Sequence, residues 1–293
     1  MAAAYLVVAV SPLQSPPAKV SVGDILHQGL HLMLLLLSIS GNSLRTPGSD
    51  HVDDIMHPAI ANFGVKIINI PNAVSVSTVN VEMALMLASA RRLVEGHIAT
   101  SPDTTHFAVD WLGVEVTWAT LGIFGMGSIG YNLAKRAKAF DMNILCHNRN
   151  HRKEEEEQAI GATYCKNIED LLRQSDFVML VVNLTSETHK LIGKRELQLM
   201  KPTATLINIC RGAVVDQDAL VEALQNGVIK AAALDVADLE PLPRDHLLLL
   251  LKNVIITPHI GTATVQALLM MTEEAVGNIH TVLNDLPSEM ITK

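Results

Sequence analysis

The sequence predicts an α/β fold built on a parallel sheet, and three observations carry that expectation. Short apolar runs alternate with amphipathic segments over most of the 293 residues. The apolar content, 49%, is supplied by Leu, Val, Ile and Ala with only 3% aromatics, the mixture that strands buried on both faces require. Polar and charged residues gather where those runs end, and open α/β sheets place ligands at strand C-terminal ends.

Taken in order, the runs at residues 6–8, 32–37 and 66–70 read as strands set among loops rich in Ser, Pro and Gly. A helix follows at 79–95, where Val79, Met83, Met86, Leu87 and Ala90 recur at helical spacing. The polar break at 97–105 marks a domain crossing. Beyond it the alternation is clean: a strand at 120–124, a helix at 129–140 and a strand at 143–146. Further strands are expected at 177–182, 205–209, 230–234 and 254–257. The acidic run 154–157 reads as an exposed helix face. No internal repeat is present.

Composition narrows the function. A net charge of −8 argues against a nucleic-acid or anionic-membrane partner, since both favour clustered Lys and Arg. Three widely spaced cysteines make neither a disulfide framework nor a zinc cluster, so no metal is expected and a reducing, cytoplasmic setting is. The apolar stretch at 5–10 has no basic residues ahead of it and is broken by Ser11-Pro12, so it makes a poor signal peptide. The run 32–37 is far short of the roughly 20 residues that a membrane span needs.

The sharpest motif is Gly125-Met126-Gly127-Ser128-Ile129-Gly130. A lone G-x-G-x-x-G is weak, but here a strand runs straight into the glycines and a helix starts at once. Gly125 permits the tight turn, Gly127 lets the backbone approach a pyrophosphate, and Gly130 allows close helix–strand packing. Exposed N–H groups and the positive helix end then hold the phosphates. The competing reading is a turn that binds nothing.

Cofactor choice falls at the end of the second strand. An NAD enzyme usually carries Asp or Glu there. This chain has Asn148 and Arg149, with Arg152 and Lys153 close behind. Arg149 can pair with a 2′-phosphate that an acid would repel, so NADP(H) is the preferred cofactor and NAD(H) the alternative. The plain alternative for these cations is a solvated surface.

Three later segments carry chemistry: Asn208-Ile209-Cys210-Arg211-Gly212, Asp235-Val236-Ala237-Asp238-Leu239-Glu240-Pro241, and Pro258-His259-Ile260-Gly261. Singly, each has a bland reading: a surface cation, a loop carboxylate, a structural histidine. Together, in this order behind the glycine loop, they resemble the D-isomer-specific 2-hydroxyacid dehydrogenases, and most of all the glyoxylate/hydroxypyruvate reductase branch. The resemblance runs from about Trp111 to the C-terminus and includes Asn253-Val254-Ile255-Ile256-Thr257 ahead of Pro258-His259.

That resemblance implies a Rossmann-type doubly wound parallel sheet with a second, smaller flavodoxin-like α/β substrate domain. Residues 1–95 would form the substrate domain, with 270–293 packing back on it, and 96–269 the dinucleotide-binding domain. The chemistry accounts for the residue types. Arg211 supplies a planar fork of donors for the substrate carboxylate and keto oxygen. His259 supplies the proton as hydride arrives, and Glu240 orients that imidazole and raises its pKa. Asp235 matches the position that contacts the nicotinamide carboxamide. Thr185, the Cys210 backbone and Gly261 are further candidate cofactor neighbours, while the Cys210 thiol reads as a small buried group, with nothing near it in sequence to activate it.

Gly48-Ser49-Asp50-His51 matches the family's loop that grips the substrate carboxylate by its amides, although Pro47 ahead of it removes one backbone donor. Val79-Asn80-Val81-Glu82 resembles the start of the interdomain helix that often helps form a homodimer. The expected partner is a small 2-keto or 2-hydroxy acid. The competing function is a weak or inactive dinucleotide-binding sensor, like the dehydrogenase-related corepressors. A formate dehydrogenase fits less well, because formate oxidation has no use for a Glu beside the His.

Overall fold

The computed structural model describes residues 6–8, 66–68, 74–99 and 112–283, with side-chain surroundings at 74–97 and 112–277. Packing divides the chain into two compact units, Thr78–Gly261 on one side and Ala2–Ser77 with Thr262–Lys293 on the other. The division falls inside a helix, α1 (Ser75–Ala90). Most of α1 belongs with the first unit because Val79, Met83, Leu85, Met86 and Ala90 join one core cluster with Leu121, Ile123 and Leu133.

The first unit is built on a seven-stranded parallel sheet. Its strands are β3 (Thr120–Phe124), β4 (Asn143–His147), β5 (Ala162–Tyr164), β6 (Phe177–Leu180), β7 (Thr205–Asn208), β8 (Ala231–Leu234) and β9 (Val254–Ile256), in spatial order β5-β4-β3-β6-β7-β8-β9. The chain starts at β3, runs outward through β4 and β5, and returns to β6 beside β3. The strand order therefore reverses between β3 and β6, where a doubly wound sheet opens its ligand crevice.

The expected central strands are buried throughout: β6, β7 and β8 have no exposed residue. Alternate side chains enter opposite cores, Val178 and Leu180 into one cluster and Phe177 and Met179 into the other. That two-sided burial explains why these runs read as continuous apolar stretches without polar alternation.

The connecting helices are α3 (Ser128–Lys138), α4 (Glu154–Ile160), α5 (Ile168–Gln174), α6 (Lys194–Leu199) and α7 (Gln217–Gln225), with a shorter helix, α2 (Leu93–Ala99), ahead of β3. Helix α3 stops before Ala139, two residues short of the expected 140. The strands at 177–182, 205–209, 230–234 and 254–257 are each trimmed by one or two residues. The residues lost are Val181, Val182, Ile209 and Thr257 at C-terminal ends and Lys230 at the N-terminal end of β8.

Three differences from the sequence reading have clear causes. The single helix expected at 79–95 is two. Arg92 takes a left-handed φ of 52°, and the Ala90 carbonyl accepts instead from Val114 N at 2.8 Å, which ends α1. The acidic run is not uniformly exposed: Glu157 is buried and lies 3.0 Å from His151 Nε2. Strand β5 went unread because it is only three residues of mixed polarity.

In the second unit, β1 (Leu6–Val8) pairs antiparallel with β2 (Lys66–Ile68), Leu6 opposite Ile68. A long helix, α8 (Val265–Leu283), follows the sheet. The strand expected at 32–37 and the loop with Gly48 lie outside the described residues. Among the described residues, no helix is long and apolar enough to cross a membrane.

Candidate active site

Strand β3 ends in the glycine loop. Gly125 has φ 100°, and a Cβ there would stand 2.4 Å from the Val181 carbonyl oxygen at the end of β6, so only glycine fits. A Cβ on Gly130 would stand 2.1 Å from the Gly125 carbonyl oxygen, which sets how closely α3 approaches the strand. A Cβ on Gly127 would meet nothing within 4 Å. The middle glycine thus faces open space at the N-terminus of an eleven-residue helix, as backbone cradling a pyrophosphate requires. Ser128 opens the helix at the surface, while Met126 and Ile129 anchor the loop in the core.

At the end of β4, Asn148 is turned toward the glycine loop. Its Oδ1 accepts from Met126 N at 3.3 Å and its Nδ2 donates to the Asn150 carbonyl at 2.7 Å. Arg149 is exposed. Thr185, after β6, uses its hydroxyl locally, donating to Glu187 Oε2 at 2.7 Å and accepting from the Glu187 and Thr188 amides.

The segment after β7 is fixed by a residue whose role the sequence did not suggest. Asn208 is buried, and its side chain accepts from Cys210 N at 3.1 Å and donates to the Arg211 carbonyl at 2.8 Å. Arg211 in turn donates from Nη1 to the Cys210 carbonyl at 2.9 Å. The Cys210 thiol is fully buried, and burial raises its pKa, which keeps it a protonated packing group. A Cβ on Gly212 would lie 1.9 Å from the Ala237 carbonyl carbon, so the loops after β7 and β8 press backbone to backbone.

That second loop carries Glu240. One carboxylate oxygen accepts from Ala237 N at 3.0 Å and the other lies 2.8 Å from His259 Nδ1. Desolvation works against ionising Glu240, but the bonds from His259 and Ala237 and the charges of His259 and Arg211 outweigh it and lower its pKa. The same hydrogen bond to Glu240 raises the pKa of His259, against desolvation and the Arg211 charge. The structure therefore brings Arg211, Glu240 and His259, from three separate strand ends, into one electrostatic group.

His259 sits at a left-handed φ of 55°, a costly conformation for this residue. Asp235 holds it there. The buried carboxylate accepts from Thr257 Oγ1 at 2.6 Å, Ile260 N at 2.9 Å and Gly261 N at 2.7 Å, so donors on both sides of His259 converge on one side chain. Gly261 leaves room for that grip, its Cβ position lying 3.2 Å from Asp235 Oδ2. The role of Thr257 was invisible in sequence because its partner lies 22 residues away.

The sequence pattern of D-isomer specific 2-hydroxyacid dehydrogenase, NAD binding domain, matches residues 83–261. The chain belongs to the D-isomer specific 2-hydroxyacid dehydrogenase family. It is 46% identical over 223 residues to a glyoxylate/hydroxypyruvate reductase B of Enterobacter sp. (strain 638), covering 75% of this chain and 68% of that protein. It is 44% identical over 233 residues to a glyoxylate reductase of Aeropyrum pernix, covering 78% and 69%. Among solved structures, a D-lactate dehydrogenase from Aquifex aeolicus, complexed with NAD and lactic acid, superposes with a TM-score of 0.74 at 31% identity, covering 81% of this chain and 74% of that one. As a member of this family the chain is an oxidoreductase that uses a nicotinamide dinucleotide, and the glycine loop on β3 is the part of the fold that suits it.

Proposed function

We propose that the chain reduces a small 2-keto acid of the glyoxylate or hydroxypyruvate type to the D-2-hydroxy acid, with NADPH preferred over NADH. The observation that carries this reading is the 2.8 Å contact between Glu240 and His259 under the charge of Arg211, on the sheet that bears the glycine loop. A nicotinamide dinucleotide held at the glycine loop would supply the hydride. Arg211 pairs with the substrate carboxylate and polarises the keto oxygen. His259, whose cationic form the bond to Glu240 favours, is placed to give a proton to that oxygen, and with a hydride at C2 this would convert C=O to CH–OH. Asp235 keeps the turn around His259 in register, and it is the residue we assign beside the nicotinamide carboxamide.

Arg149 supports the NADPH preference: it is an exposed cation one residue past Asn148, where an NAD enzyme would carry an acid. We assign dinucleotide binding to the unit Thr78–Gly261, and substrate binding, with Gly48, to the other unit. A homodimer is the assembly proposed. Turnover of purified protein with NADPH or NADH against a panel of 2-keto acids tests the reading, with His259→Ala as control. Turnover lost in the variant with cofactor binding retained supports it. Cofactor binding without turnover in the wild type would instead favour a sensor on the same fold.

A further inference from the structure

The side chains that shape the glycine loop lie outside it. Met126 is pinned from both ends: its N–H donates to Asn148 Oδ1 at 3.3 Å, and its carbonyl accepts from Arg152 Nη1 at 2.8 Å. The same Arg152 nitrogen stands 3.5 Å from the Gly127 carbonyl. Arg152 is itself held, with Nε donating to Glu156 Oε2 at 2.8 Å and its guanidinium 4.6 Å from the centre of the Tyr131 ring. A planar fork meets such a set of partners, one carboxylate, two carbonyls and a ring face, where a lysine could not.

This arrangement has a directional consequence. In a trans peptide the C=O of one residue points opposite to the N–H of the next. The Met126 carbonyl, drawn toward Arg152, therefore sends the Gly127 N–H the other way, while the Gly127 carbonyl is aligned by its helical bond from Tyr131 N at 3.0 Å. That Gly127 N–H stands at the start of α3, where a pyrophosphate needs donors. Arg149 is placed differently: it is exposed, and no hydrogen bond to a described side chain or carbonyl ties its guanidinium down.

We propose that Arg152 is a positioning residue for pyrophosphate binding, acting through the Met126 carbonyl, and that it takes no part in telling NADPH from NADH. Two neighbouring arginines thus divide the work: Arg152 sets affinity for the part both cofactors share, and Arg149 reads the 2′-phosphate. The first half rests on dinucleotide binding alone, the second on the NADPH preference proposed above.

The test is the dissociation constant of NADPH and of NADH, read by nicotinamide fluorescence, for wild type, Arg152→Met, Glu156→Gln and Arg149→Gln, with melting temperatures alongside. Arg152→Met is expected to weaken both cofactors by the same factor, about tenfold or more for a charge-assisted bond, leaving their ratio unchanged. Glu156→Gln, which loosens the arginine without removing it, should weaken both equally but less, and it carries the test should Arg152→Met not fold. Arg149→Gln should weaken NADPH alone. A loss confined to NADPH in Arg152→Met overturns the proposal, because Arg152 would then read the 2′-phosphate. A lowered melting temperature with both constants unchanged overturns it as well. An unchanged ratio in Arg149→Gln removes the NADPH preference while leaving the role of Arg152 standing.

Discussion

Glu82 offers a measurable consequence of burial. It lies on α1 with no exposed surface, one helical turn after Thr78, and among the described residues neither of its carboxyl oxygens nor the Thr78 hydroxyl has a hydrogen-bond partner. Burial pushes its pKa from 4.5 to about 8, against a weaker opposing pull from the Arg136 charge. Between those two values the folded protein keeps a proton that the unfolded chain has released. Stability is then greatest below 4.5 and falls as pH rises toward about 8. Each pKa unit corresponds to about 1.4 kcal/mol, so at pH 7 the buried acid costs about 3 kcal/mol relative to its fully protonated state. Glu82→Gln keeps the shape and the unpartnered polar atoms but cannot ionise. Urea denaturation of both proteins at pH 5.5 and pH 7.5 should show the advantage of the variant growing by about 2.5 kcal/mol across that interval. An advantage that is the same at both pH values would refute the reasoning.

Three other outcomes are expected. Glu240→Gln removes the partner that raises the His259 pKa, so the alkaline limb of the pH–rate profile for keto-acid reduction should move to lower pH; an unmoved limb would separate Glu240 from His259 in function. The pair is about one-third exposed and should contribute less than about 1 kcal/mol to stability, with the His259 share fading as pH climbs past its raised pKa and the Glu240 share fading as pH drops below 4.5. Asp235→Ala strips three donors of one acceptor around a strained His259, so about 1–3 kcal/mol should be lost for each donor left dry. Its kcat should fall more than tenfold, as checked by melting and steady-state kinetics. Gly127→Ala and Gly130→Ala should differ in kind: the first meets no protein atom and should weaken cofactor binding at unchanged melting temperature, whereas the second places a methyl 2.1 Å from a carbonyl oxygen and should lower both.

The parts of this fold that could be read from sequence are those written at short range. Thr120–Phe124 was legible to the residue because four buried apolar positions run into a glycine turn. The central strands were legible for the same reason, and only their ends were misjudged, because apolar residues such as Val181, Val182 and Ile209 continue past the last strand pairing. What local reading missed was decided by neighbours from elsewhere in the chain. The helix expected at 79–95 breaks at Arg91-Arg92 because Val114, more than twenty residues on, takes the Ala90 carbonyl. Glu157 looked like the last of four solvated acids, yet it is buried with its carboxylate 3.0 Å from His151 Nε2. Arg152 read as one more cation beside Arg149, and nothing in its local sequence shows that it reaches back 26 residues to Met126.

By itself, then, the sequence determined the series of parallel strands, the glycine turn and the order in which Arg211, Glu240 and His259 appear. Those features depend on side-chain period and on steric rules that act over a few residues. Only the tertiary structure decided that Glu240 meets His259 across 19 residues, that Asp235 holds the left-handed turn at His259, and that Met126 is gripped by Asn148 and Arg152. The reason is physical. A parallel sheet gathers the C-terminal ends of strands that are distant in sequence, and partnerships made there depend on strand order and register, which no local pattern encodes.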